Sequence, residues 1–109
     1  NMRENSLKIL TKCKKKNKRI ILHSEGELSE VFILTAKEIN LDFDGIVIPN
    51  SNIKNFFGIM VFSKVPKNIE TIILCDIKSS HNTFLQLKKS FPNKKIIVPE
   101  ILNIKKIGN

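Results

Sequence analysis

Four short stretches of the chain are almost continuously apolar, at residues 19–23, 43–48, 71–75 and 94–98. A continuous apolar run of this length is typical of a strand that is covered on both faces, as in a parallel sheet. Each stretch is followed by a residue that favours turns, in chain order Ser24, Pro49, Asp76 and Pro99. The pattern therefore predicts a parallel sheet of four main strands.

Between the predicted strands, apolar side chains recur at helical spacing. One series predicts a helix over residues 27–40, and its inward positions are Leu28, Val31, Phe32, Thr35, Ala36 and Ile39. A second helix is predicted to begin at Ser79 or Ser80, with an inner face formed by Phe84, Leu87 and Phe91. Strands that alternate with helices predict an α/β fold in three layers, a parallel sheet with helices on both faces.

A further helical pattern covers residues 4–17, with lysines around a narrow apolar side formed by Leu7, Leu10 and Cys13. Ser6 is a candidate N-cap for this helix. We therefore divide the chain into an N-terminal basic helix, residues 1–17, and an α/β domain, residues 18–109.

The remaining segments give weaker patterns. Residues 53–58 are predicted to be an irregular connection, and residues 59–62 a minor strand. Residues 100–109 are predicted to form a tail with four apolar positions, Ile101, Leu102, Ile104 and Ile107.

Composition narrows the class of protein. Hydrophobic residues make up 41% of the 109 residues, which is enough for a core. No apolar run reaches the ~18 residues of a membrane span, and the first residues lack the apolar stretch of a signal peptide. Two cysteines exclude a disulfide-rich scaffold and a four-cysteine zinc site. We expect a cytoplasmic protein with no membrane partner.

The charge is strongly basic, with 19 Lys and Arg against 10 Asp and Glu, a formal net charge of +9. Six of the cations fall within residues 12–19: Lys12, Lys14, Lys15, Lys16, Lys18 and Arg19. Such a run can bind phosphates, although cations are also favoured at a helix C-terminus by the helix dipole. Tyr and Trp are absent and few of the cations are Arg, so the sequence disfavours a nucleic-acid partner.

The candidate site follows from the predicted sheet, because ligands of open α/β sheets bind at the carboxyl ends of the strands where the strand order reverses. The turn at Gly26 is the best candidate, since the helix after it presents free N–H groups to an anion. The predicted ligand-binding residues are Ser24, Glu25, Gly26, Glu27, Asn50 and Asp76.

Side chains for catalysis or metal binding are few. His23 ends the first strand and is a candidate general acid or base, although a structural role is the more common one for such a residue. His81 and His23 have no third ligand with them, so no metal site is predicted. Cys75 is expected to be a buried, inert thiol, whereas lysines near Cys13 would lower its pKa if it were exposed. We therefore predict no catalytic residues.

Three segments resemble a family of small Rossmann-like, CoA-binding-type domains of bacterial polysaccharide biosynthesis. In that family they form the N-terminal regions of nucleotide-sugar dehydratases and sugar acetyltransferases and occur in related regulators. Residues 19–30 are similar to its strand followed by Gly-x-Gly-Glu, residues 57–62 to its Gly-x-x-Val step, and residues 96–99 to its last strand. The resemblance covers about residues 18–104.

This sequence departs from the family pattern at the turn. Ser24 replaces the first glycine and Ser29 occupies the third small position, while Gly26 keeps the middle glycine that lets the backbone approach a pyrophosphate. Asn50 stands near the place of the acidic residue that holds ribose hydroxyls in the NAD-binding families.

The resemblance implies a non-catalytic nucleotide- or nucleotide-sugar-binding domain linked to surface polysaccharide biosynthesis, with a ligand such as NAD, CoA or a nucleotide-sugar. One alternative is the nucleotide-binding fragment of a sugar-nucleotide dehydratase or transferase, which leaves open whether the chain belongs to an enzyme. The other is a small basic protein for nucleic-acid binding or assembly. A homo-oligomer and a fused or partner domain are both compatible with the pattern.

Overall fold

A computed structural model describes residues 1–102. Its helices are α1 (Met2–Lys16), α2 (Glu27–Glu38) and α3 (Ser80–Ser90), with a 3₁₀ turn at Glu100–Leu102. Its strands are β1 (Ile20–His23), β2 (Gly45–Val47), β3 (Asn55–Phe56), β4 (Ile59–Phe62), β5 (Thr71–Leu74) and β6 (Lys95–Ile97). Two apolar positions of the predicted tail, Ile104 and Ile107, lie outside the described residues.

The strands form one six-stranded sheet in the order β3-β4-β2-β1-β5-β6. All neighbours pair in parallel except β3, which is antiparallel to β4. The described chain is thus an α/β protein with a mostly parallel sheet, and the expected count of four main strands is corrected to six.

The two additional strands form a partly exposed hairpin at the edge of the sheet, so they differ from the buried main strands that the apolar runs predict. Asn55 pairs with Met60 and Phe56 with Ile59. The two-residue turn between them has positive φ at Phe57 (51°) and Gly58 (84°), the left-handed backbone that such hairpins require. Residues 59–62 were expected as a minor strand, but residues 55–56 were expected to be irregular.

The two faces of the sheet carry different layers. Ile20 and Leu22 of β1 pack with α1 and α2 on one face, in a core that includes Leu10, Phe32 and Ile33. The second core lies on the other face, beneath α3 and the helix-free connection of residues 63–70, and it joins Ile21, Val47, Ile69, Ile72, Leu74, Phe84 and Leu87. Helices on both faces were expected from the sequence.

Helix α1 is held by its own cap and by a buried contact with α2. The side chain of Asn1 accepts a hydrogen bond from the N–H of Glu4 at 2.9 Å, so the expected cap at Ser6 is wrong. Ser6 is instead fully buried, with its hydroxyl 3.1 Å from that of Thr35 on α2. The helix ends at Asn17, which has a left-handed backbone (φ 51°). No helix within residues 1–102 has the length and apolarity to cross a membrane.

Candidate functional site

The strand order reverses between β1 and β5, because the chain proceeds from β1 to β2 and β4 on one side and then to β5 and β6 on the other. Backbone hydrogen bonds join the carboxyl ends of the central strands. The N–H of Ser24 donates to the carbonyl of Val47 at 2.8 Å, and the N–H of Cys75 donates to that of His23 at 2.9 Å. The candidate cleft is therefore the position between residues 23–26 and the segment after β5, because open α/β sheets bind ligands at such a reversal.

The turn from β1 into α2 has the backbone of a glycine-rich turn. Ser24 has a φ of 82° and Gly26 a φ of 145°. A Cβ atom on Gly26 would meet no atom within 4 Å, so the backbone there is open to a ligand. Ser29 is fully buried in the first turn of α2 and its hydroxyl donates to the carbonyl of Gly26 at 2.8 Å.

Helix α2 begins without a side-chain cap. Its first N–H groups have no partner inside the helix and carry the positive end of the helix dipole. Glu27 lies in this first turn and Glu25 precedes it, and both side chains are exposed. The site thus combines backbone donors for an anion with two carboxylates at its rim.

Asp76 serves the local fold. One of its carboxylate oxygens accepts from the N–H of Ser79 at 2.9 Å, and the other accepts from the hydroxyl of Thr83 at 2.6 Å. Both oxygens thereby fix the entry into α3.

His23 is the best-shielded ionisable group of the cleft, with 9% of its surface exposed. Its Nδ1 lies 3.1 Å from the hydroxyl oxygen of Ser24. Burial lowers the pKa of His23, and the charge of Asp76 opposes this only in part. The imidazole is therefore neutral at neutral pH.

The structure places the predicted residues unequally. Ser24, Glu25, Gly26 and Glu27 are continuous in the chain, and Asp76 follows the neighbouring strand β5, where its charge acts on His23. Asn50 is exposed at the end of β2, one strand away, with a left-handed backbone (φ 61°). No hydrogen bond joins the side chain of Asn50 to the turn among the described residues.

The two thiols are buried. Burial strongly raises the pKa of Cys75, which agrees with the inert thiol expected there. Burial also raises the pKa of Cys13, although the charges of Lys95 and Lys16 act in the opposite direction. The described residues contain no cluster of three or more His, Cys, Asp or Glu side chains that could hold a metal ion.

A groove of about 830 Å³ lies away from this cleft and includes none of the predicted residues. It follows β6, the edge strand, between α1 and the turn after α3. Among residues 1–102, five lysines line it: Lys12, Lys16, Lys18, Lys94 and Lys95. The sequence shows the lysine run of residues 12–19, but only the strand order shows that β6 lies beside it.

Together, these features define an α/β protein whose strand order reverses between β1 and β5, beside the turn at Gly26. The chain matches no protein-family model, no curated protein and no solved structure.

Proposed function

We propose that this chain is a non-catalytic nucleotide- or nucleotide-sugar-binding protein with a Rossmann-like fold, linked to surface polysaccharide biosynthesis. The observation that carries the proposal is the position of the uncapped α2 N-terminus. It opens at Gly26, beside the point where the strand order reverses between β1 and β5.

The turn supports the resemblance to CoA-binding-type domains at the two positions where the sequence departs from them. Ser24 replaces a glycine but adopts the positive φ that glycine favours. Ser29 is buried against the turn, where a small residue permits close packing of the helix on the strand. The two departures are therefore compatible with the phosphate position that we propose.

The ligand we propose places a phosphate on the N–H groups of α2 and its ribose near Asn50. NAD, CoA and nucleotide-sugars share this chemistry. The carboxylates of Glu25 and Glu27 repel a phosphate, so they lower the affinity that the N–H groups of α2 provide.

The side chains best suited to proton transfer, His23 and Asp76, already form hydrogen bonds within the protein, which supports binding without catalysis. His23 is buried against Ser24, and both carboxylate oxygens of Asp76 accept hydrogen bonds from residues of α3 or its N-cap.

Thermal unfolding with NAD, CoA, AMP and a UDP-sugar tests the proposal. A ligand at about one hundred times its Kd adds roughly 2.7 kcal/mol to the free energy of unfolding, which raises the Tm by about ten degrees in a domain of this size. A shift with one nucleotide class is the expected result. If none of the four shifts the Tm at millimolar concentration, the proposed function is rejected.

Asn50→Gly locates the ligand without straining the backbone, because glycine accepts the left-handed conformation that Asn50 holds. Loss of hydrogen bonds to ribose hydroxyls should weaken binding about threefold to tenfold by calorimetry. Asn40→Gly is the matched control, since Asn40 is also exposed and left-handed (φ 56°) but follows α2. Equal loss in both variants would place the ligand elsewhere.

A further inference from the structure

The basic groove along β6 is a second surface, and its walls differ in character. On one side lies α1, which contributes Ile9, Lys12 and Lys16. The other side is formed by Phe91 and Pro92, which follow α3. The edge strand β6 forms the floor.

Three of the described lysines in the groove, Lys12, Lys16 and Lys95, form no ion pair within residues 1–102. Lys18 pairs with Glu70 at 3.4 Å, and the ammonium group of Lys94 donates to backbone carbonyls, that of Lys67 at 2.9 Å and that of Ile69. No carboxylate within residues 1–102 lies at ion-pair distance from Lys12, Lys16 or Lys95.

These cations lie on the same side of the sheet. Ile97 packs in the core beneath α1, whereas Ile96 packs in the opposite core. Successive side chains of a strand alternate between faces, so Lys95 projects to the α1 side with Ile97. Lys16 of α1 and Lys95 of β6 line the same groove, and the charges of both act on the buried Cys13 thiol.

The backbone of β6 offers unpaired groups to the groove. The N–H of Lys95 donates to the carbonyl of Glu70 at 3.0 Å, and residues 95–97 lie in register with residues 71–73 of β5. In a parallel pair the intervening residue turns its N–H and carbonyl away from the partner strand. Ile96 therefore presents both groups to the groove, and neither has a partner in the described part of the chain.

We propose that β6 binds an acidic, extended segment of another protein, which adds a strand to the edge of the sheet. The segment pairs its backbone with Ile96, turns carboxylates toward Lys12, Lys16 and Lys95, and turns apolar side chains toward Phe91 and Pro92. Side chains of a strand alternate in direction, so a sequence that alternates acidic and apolar residues can contact the lysines on one side and Phe91 and Pro92 on the other.

The same groove is poorly suited to a nucleic acid. It contains a single aromatic ring, that of Phe91, and the ammonium group of Lys94 lies 5.9 Å from the centre of that ring. Single-stranded nucleic acids are held largely by bases stacked on aromatic side chains, and β6 offers strand-pairing groups in their place.

Fluorescence anisotropy with the full chain provides the test. The probe is a labelled nine-residue peptide that alternates Glu and Val; a peptide that alternates Lys and Val and a twelve-residue oligothymidylate serve as comparisons. We expect saturable binding of the Glu-Val peptide at 0.1 M salt, none of the Lys-Val peptide and at least tenfold weaker binding of the oligonucleotide. Tighter binding of the oligonucleotide would overturn the proposal in favour of a nucleic-acid surface.

Charge reversal locates the surface. Lys12→Glu with Lys95→Glu should weaken binding of the Glu-Val peptide about tenfold or more, because two attractive charges become repulsive. Lys54→Glu with Lys64→Glu is the matched control: both side chains are exposed near the opposite edge of the sheet, and the net charge changes equally. Equal losses in the two variants would show general attraction and overturn the proposal.

Amide exchange separates strand addition from charge attraction alone. In the ¹⁵N-labelled chain, the N–H of Ile96 should exchange at least tenfold more slowly when the Glu-Val peptide is bound. Unchanged exchange on saturation would overturn the proposal, as would full protection of Ile96 before any peptide is added. None of these outcomes depends on the nucleotide cleft, which lies at the carboxyl ends of β1 and β5.

Discussion

Two residues of the candidate site, Asp76 and His23, also make contacts that stabilise the fold. Asp76 has both carboxylate oxygens bound by the start of α3, so replacing it changes stability as well as any ligand contact. His23 is buried beside Ser24, and its protonation would place a charge where little water reaches it. The pH dependence of stability therefore reports on the cleft without any ligand.

Because the pKa of His23 is lowered in the folded chain, acid should reduce the free energy of unfolding. The unfolded chain binds the proton first as the pH falls below the ordinary value of about 6.5, so the free energy of unfolding should decrease from there toward the folded pKa. The decrease is at most about 1.4 kcal/mol per pH unit. Urea unfolding followed by circular dichroism between pH 7.5 and pH 5 measures it.

His23→Gln should remove this part of the pH dependence. His81→Gln is the control, because His81 is exposed at the start of α3 and its replacement should retain the wild-type slope. A wild-type slope in His23→Gln would assign the acid sensitivity to other groups.

Among the elements, β2 packs tightly against β4 at Gly45. A Cβ atom there would contact the ring of Phe62 and lie 2.9 Å from the carbonyl oxygen of Met60. Gly45→Ala should therefore lower the free energy of unfolding by about 1–3 kcal/mol.

A double-mutant cycle in urea identifies the cause. Phe62→Ala removes the ring but leaves the carbonyl of Met60, so the double variant should be less destabilised than the sum of the two single variants. Additive losses would mean that the ring does not limit the approach of β4.

The same elements show what the sequence predicts well. β1 and β5 are buried at every position, so their apolar runs identify them directly. β3 and β4 are half exposed, and a Phe-Gly turn carries no strong hairpin signal in the sequence. The predicted cap of α1 at Ser6 was wrong. Asn1 caps the helix, and Ser6 forms a buried hydrogen bond with Thr35, which is distant in sequence.

The turn at Gly26 and the basic groove along β6 also differ in how far the sequence predicts them. The turn at residues 24–27 is local, so the sequence contains it whole, and only its position beside Asp76 depends on the fold. The basic groove lies between α1 and β6, which are separated by most of the chain, so it depends on the packing of the whole fold.

For the molecule as a whole, α1 supplies part of the main core, since Leu10 is fully buried beside residues of α2 and β1. Leu10→Ala should therefore lower the free energy of unfolding by about 3 kcal/mol while the chain still unfolds in one transition. Urea titrations followed by circular dichroism and by NMR measure both properties. Leu34→Ala is the control, because Leu34 is 59% exposed and its loss should change little.

Loss of α1 in a separate, earlier transition would contradict this expectation. It would instead show that residues 1–17 form a unit that folds independently of the sheet.

Asparagine holds left-handed backbone at Asn17, Asn40 and Asn50, positions that many proteins give to glycine. The chain contains 12 asparagines and 4 glycines, and 17 of its 19 basic residues are lysine. The codons for asparagine, lysine and isoleucine consist mainly of adenine and thymine, whereas glycine codons begin with two guanines. A coding bias toward adenine and thymine would therefore act on the backbone as well as on composition, because it favours asparagine over glycine at left-handed positions such as these three.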